Sequence, residues 1–93
     1  MERTTIATIR RAVQEAQQAA LAANFDGCDL EDIDQIVEPV ERELQKAQPN
    51  EQTLTTYLNS LARSLRAYSR ARPACLSLDA AMREAGLPTD WEH

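Results

Sequence analysis

A chain of 93 residues, 43% of them hydrophobic, is one domain long and carries enough apolar material for a small core. Its formal net charge of −5 argues against a general binder of phosphate backbones or of anionic membranes, since both need clustered positive charge. Two Gly, one Trp, two Tyr and one Phe, set against many Ala, Leu, Gln, Glu and Arg, favour helix over strand throughout.

Apolar residues first recur at Ile6, Ile9, Val13, Ala16, Ala20 and Ala23, spacings of three and four that make one helical stripe. Thr4 or Thr5 can cap its start, and Asn24 or Gly27 can end it. The second half of the stripe is nearly all Ala, so a neighbouring helix can approach closely there. If that stripe cannot complete a core within one chain, a homodimer would do so. Phe25, just beyond, is expected to plug one end of the core. The stretch MERTTIATIRRAVQ lacks the continuous apolar centre and cleavage site of a secretory signal.

The second stripe is Leu30, Ile33, Val37, Val40, Leu44 and Ala47, preceded by Asp29 as N-cap and carrying Asp32 in an acidic first turn that suits the helix dipole. Pro39 falls inside it without disturbing the phase, which predicts either a kinked helix or two short collinear pieces. The third stripe, Leu54, Leu58, Leu61, Leu65 and Tyr68, starts after the N-cap Asn50 and is predicted to run to the breaker Pro73, with Tyr57 widening its face. The fourth is Cys75, Leu78, Met82 and Ala85, with Pro73 in its first turn, Gly86 at C′ and Leu87 folding back. Residues 1–88 thus read as a single helical-bundle domain and 89–93, with Trp91, as a C-terminal tail.

The corner ELQKAQPNEQTL decides how the middle segments meet. Leu44 with Leu54, Val40 with Leu58, Val37 with Leu61, Ile33 with Leu65 and Leu30 with Tyr68 pair symmetrically about Pro49, so two antiparallel helices would face each other in register. A DNA-reading helix would offer basic or amide side chains from its first turns, whereas this one offers Glu51, Gln52, Thr53, Thr55 and Thr56, with no Arg before Arg63. The expected fold is all-α: a small antiparallel four-helix bundle whose central hairpin joins segments 30–47 and 51–71.

Chemistry is sparse. The sole histidine, His93, lies beyond the periodic segments and has nothing to hold it beside a nucleophile. Two glycines make no phosphate cradle, and DGCDLEDIDQIVE fails the spacing of a calcium loop. Cys28 and Cys75, with no C-x-x-C, read as buried, reduced thiols of a cytoplasmic protein. No run of about 18 apolar residues exists to span a membrane. No catalytic, cofactor or metal site is read, and the chain is not expected to be an enzyme.

Charge is the remaining signal. Asp26, Asp29, Glu31, Asp32, Asp34, Glu38, Glu41 and Glu43 stand against Arg42 alone, a local net of −7, while Arg63, Arg66, Arg70 and Arg72 form a short basic run. The hairpin register would lay 29–34 beside 64–69, making much of this an internal match worth about tenths of a kcal/mol per exposed pair. The surplus points outward: Asp29, Asp32, Asp34, Arg63, Arg66, Arg70 and Trp91 are the candidate partner-binding residues. The first reading is a non-catalytic module that docks another protein through a helical, largely acidic surface. Its alternative is a small acidic inhibitor that imitates nucleic acid, and a third is a nucleic-acid binder using the Arg face.

Overall fold

The computed structural model describes residues 1–90; Trp91 and the two residues after it lie outside the described residues. It is all-helical, in the order α1 (Arg3–Ala23), a 3-10 turn (Asn24–Asp26), α2 (Leu30–Leu44), α3 (Glu51–Leu65), a second 3-10 turn (Ser69–Ala71) and α4 (Arg72–Glu84). The closest packing is α1 on α4 and α2 on α3, and the two pairs close on each other to make a four-helix bundle. One groove is walled by Ala19 and Ala74, another by Thr8 and Glu84, so α1 and α4 run antiparallel.

Each stripe enters one core. Ile33, Val37, Val40 and Leu44 of α2 and Leu54, Leu58, Leu61 and Leu65 of α3 are all buried in it, as the hairpin requires. The Ala stripe of α1 is covered within the single chain, with Ala16, Ala20 and Ala23 buried. A bulky or charged replacement at Ala20 would have to displace a neighbouring helix.

The ends of the helices show which local rules hold. Asp29 caps α2, its Oδ1 accepting the N–H groups of Glu31 at 2.9 Å and Asp32 at 3.4 Å, and Asn50 caps α3 by accepting the N–H of Thr53 at 2.9 Å. Two glycines close helices in the same way. Gly86 takes φ 77°, its N–H bonds Arg83 O and the next N–H, of Leu87, bonds Met82 O at 2.8 Å. Gly27 takes φ 98°, with Gly27 N–H to Asn24 O and Cys28 N–H to Ala23 O, both at 3.1 Å. In this paired closure the residue after the glycine folds inward, and Cys28 and Leu87 are both buried.

Four expectations need correcting, and one choice between alternatives is resolved. Helix α1 begins before Thr4 and Thr5: Glu2 occupies the cap position without a side-chain bond, and Ile6 N–H already reaches Glu2 O. Phe25 does not plug the core but is 88% exposed, because the closure at Gly27 turns Cys28 inward instead. Of the two alternatives at Pro39, one helix and not two pieces is found: α2 passes through it unbroken. That helix stops at Leu44, leaving Ala47 exposed, since a single methyl group offers little reason to extend it. Helix α3 stops at Leu65, not near Pro73. Tyr68 is extended (φ −107°, ψ 115°) yet still half-buried against the core, so the apolar phase outlasts the helix. Ending there lets the chain reverse and lay α4 along α1, with Pro73 in the first turn of α4.

Candidate functional site

Among the described residues, Glu43 and Asn59 are the polar side chains buried as a whole, and both serve the fold. Glu43, 5% exposed, bridges the corner between α2 and α3: its Oε2 accepts Asn50 N–H at 2.9 Å and its Oε1 accepts from Lys46 Nζ at 3.0 Å. The Asn50 N–H, more than the ammonium of Lys46, holds this carboxyl below the usual glutamate range, against the opposing effect of burial. Asn59, 3% exposed, fixes the segment after α4. Its Nδ2 donates to Pro88 O at 2.9 Å and its Oδ1 accepts Asp90 N–H at 3.0 Å, while Arg63 pairs with Asp90 at 2.5 Å.

Both thiols are buried and unbridged. Burial raises the Cys28 pKa, and the charges of Asp29 and Asp32 push the same way. Burial also raises the pKa of Cys75, offset in part by Arg72, and its Sγ donates to Ala62 O at 3.6 Å. Such thiols are poor nucleophiles at neutral pH. Among the described residues no cluster of three His, Cys, Asp or Glu could hold a metal ion.

The acid-rich stretch divides by use. Glu43 is internal, Asp29 is a cap, Glu38 pairs with Arg42, and Asp26 meets Arg70 at 3.4 Å. Glu31, Asp32, Asp34 and Glu41 are exposed and, among the described residues, enter no ion pair. The anticipated meeting of acid and Arg blocks therefore comes down to the Asp26–Arg70 contact, with Arg63 turned to Asp90 and Arg66 ending α3 as its C-cap. Trp91, also a candidate, lies outside the described residues. The first turns of α3 use their own hydroxyls: Thr55 and Thr56 donate to Glu51 O and Gln52 O.

Two surface features went unread in the sequence. A groove of about 240 Å³ lies between α1 and α2, walled by Gln17, Gln18 and Leu21 on one side and Leu30, Ile33 and Asp34 on the other. On its α1 wall Leu21 is 52% exposed, and Phe25, in the 3-10 turn that follows α1, is 88% exposed. Continued past Ala23, the helical phase of α1 sets Phe25, four residues after Leu21, away from the buried Ala20 and Ala23. Applying that helical phase to Phe25 would have turned it outward. A second, open groove of about 650 Å³ is walled by Arg11, Gln14, Gln18, Arg70 and Pro73, but Glu15 stands on the same wall and Arg70 is engaged by Asp26.

Comparison with known proteins finds no matching family model, and neither a curated protein nor a solved structure matches the chain.

Proposed function

We propose that the protein is a non-catalytic interaction module that docks another protein through the acidic face of α2. The observation that carries this reading is the set of exposed carboxylates at Glu31, Asp32, Asp34 and Glu41, which the fold leaves without cationic partners among the described residues. Like charges on one helix repel by a few tenths of a kcal/mol per close pair, so a face of this kind is costly to stability and earns its place by long-range attraction. A basic protein surface is the complementary partner, and its encounter rate would fall with salt. The described polar groups that are buried serve the corner at Glu43 and the clamp at Asn59, which supports a structural rather than a chemical use of the interior.

The test is a quantitative capture from host lysate at low and high salt, with the wild-type chain and the Asp32→Lys, Asp34→Lys double variant. A partner held by wild type at low salt, released by salt and lost to the double variant fits the reading. Equal capture by the double variant, with only its stability altered, would sink it. A nucleic-acid-binding protein recovered as that partner would favour the decoy form of the same reading.

A further inference from the structure

The chemistry of one edge of the bundle narrows the partner further. Along α2, Leu30, Asp34, Glu38 and Glu41 follow one another at spacings of four, four and three and so lie on one stripe. Leu30 and Asp34 wall the groove shared with α1, and by helical phase Glu38 and Glu41 continue their stripe along α2. Opposite Leu30 and Asp34, α1 carries no charge from Ala16 to Asn24 and presents Gln17, Gln18 and Leu21 to the groove, with Phe25 following in the 3-10 turn. The edge is therefore apolar at the end holding Leu21, Phe25 and Leu30, and acidic along the remainder of α2. Glu38 is paired only with Arg42, an exposed contact within one helix that leaves the carboxylate available.

We propose that this edge binds an amphipathic helix of another protein, bearing an aromatic or aliphatic anchor for the Leu21–Phe25 patch and Lys or Arg residues for Asp34, Glu38 and Glu41. The inference rests on the reading of the chain as a protein-docking module and names its site and the chemistry of its partner. Charge complementarity selects this occupant. A second copy offers no cationic complement to these carboxylates on the same edge, and each copy carries −5. A neutral apolar segment would use Phe25 but leave the carboxylates beside it unpaired. Helices laid on a groove by anchors one turn apart are an established mode of recognition, and an exposed aromatic is the usual centre of such a contact.

The probe is a labelled synthetic helix of about 18 residues, with Leu and Phe at i, i+3, i+4 and i+7 and Lys on both flanks, compared with a twin carrying Glu for every Lys. Fluorescence anisotropy should show saturable binding of the Lys helix and at least about tenfold weaker binding of the Glu twin. Leu21→Ser with Phe25→Ser should weaken the Lys helix about tenfold or more. Both side chains are exposed, so the melting temperature of that variant should stay at the wild-type value. Asp34→Lys with Glu41→Lys should weaken binding several-fold and flatten its salt dependence.

Absence of saturable binding to about 1 mM overturns the proposal, as does equal affinity for the Glu twin or an unchanged affinity in the Ser variant. Self-association that vanishes with Phe25→Ser would assign the edge to a second copy and overturn it equally. The broader reading is judged separately by lysate capture. A partner lost to Asp32→Lys with Asp34→Lys but retained by Leu21→Ser with Phe25→Ser would leave the module standing and move its docking site off this edge.

Discussion

Two of the chain's reversals are made by different means. Between α2 and α3, residues 45–49 are spanned by side-chain chemistry: the Glu43 carboxylate reaches across to Asn50 N–H and Lys46, and Asn50 in turn caps α3. Between α3 and α4, residues 66–71 use backbone hydrogen bonds, Tyr68 N–H to Leu65 O and Ala71 N–H to Tyr68 O, with no side-chain cap on the 3-10 turn or on α4. What fixes that second reversal is burial, since Leu65 and Ala71 are wholly enclosed and Tyr68 is half so. A polar corner loses one bond at a time and can partly recover it from water. A packed corner has no solvent substitute, so errors there should cost more.

Substitutions can break or sharpen that contrast. Leu65→Ala, at the packed corner, should lower stability the most, by about 2–5 kcal/mol in urea unfolding, through lost burial and the cavity left behind. Ala71→Leu should follow at about 1–3 kcal/mol, because the buried methyl group has no room to grow. At the polar corner, Asn50→Ala removes a cap and should cost about 1 kcal/mol. A loss from Asn50→Ala equal to that from Leu65→Ala would erase the distinction.

The smallest effect at neutral pH, but the most diagnostic, belongs to Glu43. Its pKa in the folded chain is lowered, so its contribution is complete above the ordinary glutamate pKa and is lost as pH falls through the lowered folded value. Glu43→Gln should therefore be less stable than wild type near pH 7 and should lose less stability on acidification. Parallel curves of stability against pH for the two proteins would show that the corner does not depend on the ionised carboxylate.

The same contrast explains what could be seen in the residues beforehand. Asp29, Asn50 and Gly86 are local signals, and each appears where the spacing puts it. The end of α3 has no such marker. Tyr68 keeps the apolar phase, and no Gly or Pro precedes Pro73, so nothing within the segment announces that the backbone turns at residue 66. Glu43 and Asn59 escaped notice for a related reason. A lone acid in an acidic run and a lone amide on a helix flank reveal their partners, seven and about thirty residues away, only after folding. The acidic face of α2 was visible as composition, whereas the Leu21–Phe25 patch beside it needed helical phase rather than an assumption that aromatics go inside.

Cys28 and Cys75 are buried in different ways, one beside the glycine closure that follows α1 and one within α4, and both are shielded from solvent. Alkylation of either thiol must wait for its surroundings to open. A reagent such as iodoacetamide would thus serve as a pair of built-in clocks, timing the fraying of the α1–α2 connection and the undocking of α4 as separate events.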